Sequence, residues 1–428
     1  MSLLTRPRTA SITGRCLSSL TASIPKLRTP VRSLATLDRN PITQRQSTTA
    51  PTAPPQGAHA TARYEVQVSP AEKHATGALR TDWTKEEVQE IFDSPLLELL
   101  FHAARVHRMH HDPRRVQQCT LLSIKTGGCS EDCSYCPQSS RYSTEVKASK
   151  LLKEDVVLGA ARKAKEAGSS RFCMGAAWRD LHGRKTNFST ILDYVREIRS
   201  MDMEVCCTLG MLTPTQAAQL KEAGLTAYNH NLDTSREHYP KIITTRSYDD
   251  RLATLAAVRD AGISVCSGGI IGLGESETDR ISLLHTLATL PTHPESVPVN
   301  ALLAVKGTPL ENNTPVDIFE MIRMIATARI IMPQSMVRLS AGRVRFSVQE
   351  QAMCFMAGAN SIFTGDKLLT TPNNVFSDDQ VMFEKLGLVP KRANFEQGRT
   401  MHTVDEEAFL DVGSEAGKKT KGELVIEG

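Results

Sequence analysis

The 428-residue sequence has no apolar run of the ~18 residues that a membrane-spanning helix needs, so no transmembrane helix is expected. The apolar core of a secretory leader is also missing. Acids are almost absent from the first 64 residues, where Asp38 stands alone against Lys26 and eight arginines amid many Ser and Thr. That composition belongs to an organelle-targeting segment, and residues 1–64 are read as a disordered mitochondrial transit peptide. The rest of the chain carries slightly more acids than bases, which gives no surface for nucleic acid. Without secretion the ten cysteines stay reduced, and ligation or burial must account for them.

A fourth ligand is missing where a zinc site would need one. Cys129-Ser-Glu-Asp-Cys133-Ser-Tyr-Cys136 is preceded by Gly127 and Gly128 and followed by Pro137, with no further Cys or His close by. Structural zinc sites take four ligands at paired spacing. A thioredoxin-like Cys133-Ser-Tyr-Cys136 would leave Cys129 unexplained. Three thiolates in one loop suit an iron–sulfur cubane with one iron left open for chemistry. A dinucleotide fingerprint is missing as well: in Gly268-Gly-Ile270-Ile-Gly272-Leu-Gly-Glu275 the glycines do not fall at GxGxxG spacing. Glycines there let a ligand approach the backbone closely.

The remainder alternates β-like and amphipathic helical runs. Strands are expected at 119–126, 170–175, 204–209, 226–232, 263–270, 296–304, 336–341 and 360–364, with helices between them ending in Ala-Gly at 168, 224 and 262. Eight such units predict an α/β fold, a (β/α)8 TIM-type barrel over residues 80–395 with an N-terminal helical extension; a doubly wound sheet is the alternative. The extension starts with the capping box Thr84-Lys-Glu-Glu87, then a helix from Ser94 with Pro95 at its first position. His102, His107, His110 and His111 on that helix read as a polar helix end rather than a metal pair. Residues 396–428 read as a flexible tail.

Alternate residues of a strand share a face. Arg171, Cys173 and Gly175 then go together, as do Glu204, Cys206 and Thr208; Asn229, Asn231 and Asp233; Ser264, Cys266 and Gly268; and Arg338 and Ser340. Helices cover the outside of a parallel barrel, so the apolar faces point outward and these polar faces inward. A polar lumen with three cysteines and an arginine is a binding cavity, with a second soft-metal site the leading reading. Parity puts Cys207 outward as a buried small hydrophobe, Cys354 is read as core, and Cys119, opening the first strand, as structural.

The three-cysteine loop with Tyr135 before its last cysteine, and Gly268 to Glu275, resemble the radical S-adenosylmethionine enzymes. Arg171-Phe-Cys-Met-Gly-Ala-Ala-Trp178, Tyr228-Asn-His-Asn-Leu-Asp233, Val297-Pro-Val-Asn300 and Val337-Arg-Leu-Ser-Ala-Gly-Arg343 are similar to the biotin synthase family, over about residues 80–390. The resemblance implies a [4Fe–4S] cluster on Cys129, Cys133 and Cys136 that cleaves S-adenosyl-L-methionine to a 5′-deoxyadenosyl radical. It implies sulfur insertion into dethiobiotin, the last step of biotin biosynthesis, with a [2Fe–2S] cluster on Cys173, Cys206, Cys266 and Arg338 as sulfur donor. Tyr135, Asp233, Gly268 and Ile270 are implied to contact S-adenosylmethionine, and Asn229, Asn231 and Asn300 the substrate. It further implies a flavodoxin- or ferredoxin-like low-potential electron donor, iron–sulfur assembly machinery and a homodimer. Asp366 stands where some members carry cysteine, which removes that position as a sulfur relay. Lipoyl synthase, another radical enzyme, carries an N-terminal cysteine motif of its own, and none lies between Cys16 and Cys119. A non-catalytic zinc or iron–sulfur assembly protein is the alternative from another class.

Overall fold

The computed structural model describes residues 68–395. The segments read as transit peptide and tail, with Cys16, lie outside the described residues. Three helices come first: α1 (Pro70–His74), α2 (Lys85–Asp93) and α3 (Leu96–His110). The barrel follows as β1 (Arg115–Lys125), α4 (Glu154–Glu166), β2 (Arg171–Ala176), α5 (Lys185–Ser200), β3 (Glu204–Thr208), α6 (Pro214–Glu222), β4 (Ala227–Asn229), α7 (Tyr239–Ile242) and α8 (Tyr248–Asp260). It continues with β5 (Ser264–Cys266), β6 (Gly269–Ile271), α9 (Glu277–Ala288), β7 (Ser296–Ala301), α10 (Ile318–Ile331), β8 (Met336–Leu339), α11 (Val348–Met356), β9 (Ser361–Phe363), α12 (Phe376–Leu386) and β10 (Val389–Pro390).

Strand order is β1-β2-β3-β4-β5-β7-β8-β9, and β9 pairs back onto β1, so the sheet is closed and parallel throughout. β6 pairs only with β7 and continues the fifth stave beyond a break at Ser267-Gly268. The barrel expected from the sequence is therefore the one found, with one stave split. β10 adds to the start of β1 from outside. Gly168, Gly224 and Gly262 take positive φ after α4, α6 and α8, as the Ala-Gly stops suggested.

The capping box at Thr84 forms: Glu87 N–H donates to Thr84 Oγ1 at 3.1 Å and Thr84 N–H to Glu87 Oε2 at 2.9 Å. The start of α3 differs from expectation. Pro95 is the N-cap, not the first helical residue. Ser94 closes α2 instead, its hydroxyl donating to Glu90 O and accepting from Ala71 N–H, which ties α1 to α2. The α3 histidines are only partly a polar helix end. His102 and His107 are buried, while His110 and His111 meet the carbonyls of Gly77 and Pro333.

Two apolar layers result. Phe172, Met174, Val205 and Cys207 face outward into the main core beneath the helices. Each such buried side chain stabilises the fold by roughly 1.5–3 kcal/mol, so the barrel does not depend on an apolar lumen. Inside, Cys119, Cys173, Cys206 and Ala227 form a separate buried cluster with Leu121 and Phe363 packed on it. Parity thus placed Cys206 and Cys207 on the correct sides, and Cys354 is in the outer core. Among the described residues no helix is long and apolar enough to cross a membrane.

Candidate functional site

The loop after β1 closes on itself. Cys129 N–H donates to Gln138 O at 2.9 Å, Ser140 N–H to Cys129 O at 2.8 Å, and Cys136 N–H to Cys133 O at 2.9 Å. It is also clamped to the segment between α7 and α8. Ser134 donates through N–H and Oγ to Ile242 O at 3.0 and 2.9 Å, and Asp132 Oδ1 accepts the N–H groups of Thr244 and Thr245 at 3.0 and 3.2 Å. Burial pushes the thiols of Cys133 and Cys136 up to about 11 and about 12, partly offset at Cys133 by the Arg246 and Arg251 charges. These are desolvated sulfurs whose thiolates need cationic compensation, which a metal centre supplies.

Inside the barrel four thiols and one guanidinium form a ring. Cys119, Cys173 and Cys206 share one buried cluster, with Cys173 opposite Cys206 in the β2–β3 register, and Cys266 is buried on the fifth stave. Arg338 closes the ring, donating from Nη1 to Cys266 Sγ at 3.7 Å and from Nη2 to Cys119 Sγ at 3.3 Å. Its Nε donates to Ser361 Oγ at 2.9 Å. On the N-terminal side of the ring Arg171 Nε donates to Glu204 Oε2 at 2.6 Å, where Gln117 Nε2 also donates at 3.1 Å. Hydrogen bonds from Cys173 and Cys266 hold the Cys206 thiol well below its ordinary range. Burial raises Cys119, but Cys173 and Arg338 outweigh it and leave this thiol at about 6. Burial would discharge Arg338, yet the surrounding sulfurs keep it protonated.

Among the described residues no three His, Cys, Asp or Glu side chains converge closely enough to share one metal ion. A cluster of several irons spreads its ligands more widely than a single ion does, and both sulfur sets are of the soft type that iron–sulfur clusters take.

The remaining predicted residues lie where β4 and the fifth stave end. Asn229 Nδ2 donates to Cys266 Sγ at 3.3 Å and to Asn231 Oδ1 at 3.1 Å, and Asn231 Oδ1 also accepts Gly268 N–H at 3.2 Å. Gly268 sits at the stave break, where an added Cβ would lie 2.0 Å from Pro298 O. The expected common face of Asn229, Asn231 and Asp233 holds only for the two asparagines. β4 ends at Asn229, and Asp233 takes a left-handed φ of 69°. Its carboxylate turns to the loop instead: Oδ2 accepts Tyr135 OH at 2.9 Å and pairs with the buried Arg251. Its backbone holds β6, with Ile270 N–H donating to Asp233 O at 2.8 Å. Asn300 clamps two strands, donating to Gly269 O at 2.8 Å and accepting Ala341 N–H at 3.2 Å.

Cys119 was misplaced in the sequence because β1 begins at Arg115, four residues earlier than expected, which puts Cys119 mid-strand. Counting Gln117, Cys119 and Leu121 as one face would have found it. Arg246 and Arg251, which oppose the charge of Cys133 and Asp233, carry no sequence signal, since they come from a helix and its approach far along the chain. Nor does Leu369, which covers Gly175 at the end of β2 closely enough that a Cβ there would lie 2.3 Å from its Cδ2.

A closed parallel barrel with a three-cysteine loop at the C-terminal ends of its strands is the architecture of a radical S-adenosylmethionine enzyme, and the Radical SAM superfamily profile matches residues 123–287. The Biotin and Thiamin Synthesis associated domain matches residues 298–389. The chain is 73% identical over 327 residues to a mitochondrial biotin synthase of Arabidopsis thaliana, covering 76% of this chain and 86% of that protein. It is 64% identical over 320 residues to a biotin synthase of Cytophaga hutchinsonii, covering 75% of this chain and 94% of the relative. The chain belongs to the biotin synthase family. In fold it is similar to a crystal structure of methylornithine synthase, with a TM-score of 0.64 at 19% identity over 76% of this chain and 98% of that one. It is also similar in fold to the FeFe-hydrogenase maturase HydG, with a TM-score of 0.66 at 18% identity over 77% of each chain.

Proposed function

We propose that the chain converts dethiobiotin to biotin by radical insertion of sulfur. The observation that carries this reading is the pairing of two sulfur sites in one barrel: a three-thiol loop at its mouth and a thiol ring closed by Arg338 within. Cys129, Cys133 and Cys136 would hold a [4Fe–4S] cluster, and Cys173, Cys206, Cys266 and Arg338 a [2Fe–2S] cluster. When bound, these groups and S-adenosylmethionine supply a 5′-deoxyadenosyl radical at the mouth and sulfur from within.

The chain's own residues organise that chemistry. Tyr135, Asp233 and Arg251 lock the cysteine loop to the end of the fourth stave, which would fix the position of a cluster held there. Gly268 and Ile270 would offer backbone beside that point for an adenosyl group, and Gly268 has no room for a side chain because a Cβ would lie 2.0 Å from Pro298 O. Asp233 contributes to this binding through its placement of Ile270, since one of its carboxylate oxygens is already engaged. Asn229 and Asn231, bonded to each other beside Cys266, would be the amides that meet a ureido-bearing substrate, with Asn300 holding the adjoining strands. Leu369 packs over Gly175 at the end of β2 and would narrow access to the lumen there.

The relatives named mitochondrial in Arabidopsis thaliana and Emericella nidulans support a mitochondrial protein, with residues 1–64 as its import segment, 80–395 as the barrel domain and 396–428 as a tail. A low-potential flavodoxin- or ferredoxin-like donor, iron–sulfur assembly machinery and a second copy of the chain complete the reading. Anaerobic incubation of reconstituted protein with dethiobiotin, S-adenosylmethionine and a low-potential reductant tests it. Biotin is the expected product; cleavage of S-adenosylmethionine without biotin at any cluster loading would refute the reading.

A further inference from the structure

We propose that Cys119 is a fifth donor of the interior site, a thiolate able to take the iron position of Arg338. The inference rests on the reading of that site as a [2Fe–2S] centre and concerns its ligand set.

Cys119 is fully buried in the middle of β1 and faces the lumen. It shares a cluster with Cys173 and Cys206 that is separate from the outer core. Cys207 and Cys354, which do behave as small hydrophobes, sit in that outer core instead. The Cys119 thiol packs with Cys173, and Arg338 Nη2 donates to its sulfur at 3.3 Å. The other end of the same guanidinium reaches Cys266 at 3.7 Å. Arg338 therefore lies between the two sulfurs that end the row of thiols, and is nearer to Cys119.

Donor chemistry favours a role for that sulfur. A guanidinium has no lone pair to offer until it loses a proton, and here its N–H groups are already aimed at Ser361, Gln117 and the two sulfurs. A thiolate is the ordinary ligand, and four of them are what a two-iron cluster takes. The ring contains four. The exchange would be proton-neutral: iron held by Arg338 would need a neutral guanidine, whose proton can rest on Cys119 across the contact already present, and taking the Cys119 sulfur instead would return that proton to Arg338. No other co-reactant is needed.

The test uses the full chain, reconstituted anaerobically with iron and sulfide, as wild type, Cys119→Ser, Arg338→Met and the double variant. Iron and acid-labile sulfide per chain are measured, with absorption spectra and electron paramagnetic resonance after reduction. Wild type and both single variants are expected to hold iron for both clusters, while the double variant loses the interior complement entirely. Arg338→Met should also show a shifted thiolate-to-iron charge-transfer band, absent from Cys119→Ser. An Arg338→Met chain already as depleted as the double variant overturns the inference, as does a double variant that keeps both clusters. Wild type holding only the four-iron complement overturns the two-cluster reading itself. Circular dichroism checks folding, and Arg338→Gln replaces Arg338→Met in the same comparison if the methionine variant unfolds.

Discussion

The hydroxyl of Tyr135 donates to Asp233 Oδ2 at 2.9 Å, joining residues 98 apart in sequence. That bond fastens the cysteine loop to the end of the fourth stave. Arg251 pairs with the same oxygen, with 3% of its side chain and 2% of that of Asp233 exposed, so the pair is desolvated. Removing one partner leaves a buried charge unpaired. Arg251→Ala is expected to cost about 3–5 kcal/mol, against about 1 kcal/mol for Tyr135→Phe, which removes one hydrogen bond. Chemical denaturation of the two variants measures the difference.

The register of β3 predicts opposite consequences for neighbouring cysteines. Cys206 pairs across from Cys173 inside the barrel, while Cys207 packs in the outer core. Cys207→Ser buries a hydroxyl among aliphatic groups and should cost about 1–3 kcal/mol with both clusters retained. Cys206→Ser should leave stability nearer to wild type but abolish the interior cluster. Iron and sulfide content together with melting temperature separates the two.

Most of this was legible in the sequence. Eight staves, the outward Cys207 and the inward Cys173, Cys206 and Cys266 follow from a period of two and from Ala-Gly helix stops. The misses have physical causes. Parity holds only while the chain stays extended, so it failed for Asp233, beyond the end of β4 and at positive φ. Cys119 reads as the opening of a strand because Arg115-Val-Gln-Gln gives no apolar alternation to mark the true start of β1. Arg251 and Leu369 reach the site through tertiary packing, which no local pattern records.

Close approach rather than backbone freedom explains Gly268. A methyl group there would lie 2.0 Å from Pro298 O, a main-chain atom that cannot step aside. Gly268→Ala should therefore displace β6 from β7 and sharply weaken binding of S-adenosylmethionine. Gly175→Ala meets only the end of the flexible Leu369 side chain, at 2.3 Å, and should be milder. Equilibrium binding of S-adenosylmethionine to each anaerobic variant compares them.

Burial first, and then the Arg329 charge, holds His107 and His111 well below the ordinary 6.5. Both are neutral in the fold and gain a proton more readily once unfolded. Their contribution is thus fully present above pH 6.5 and is lost as pH falls below it. Melting temperature should drop between pH 7.5 and 5.5, and the drop should shrink in His107→Gln. An equal drop in both chains would place the acid sensitivity elsewhere.

In the proposed division of labour the loop makes a radical which the interior ring then uses. Measuring 5′-deoxyadenosine and biotin side by side in Cys136→Ala and Cys173→Ala tests it most directly. Cys136→Ala is expected to yield neither product, and Cys173→Ala to yield 5′-deoxyadenosine without biotin. Equal loss of both products in the two variants would contradict a division of labour between the sites.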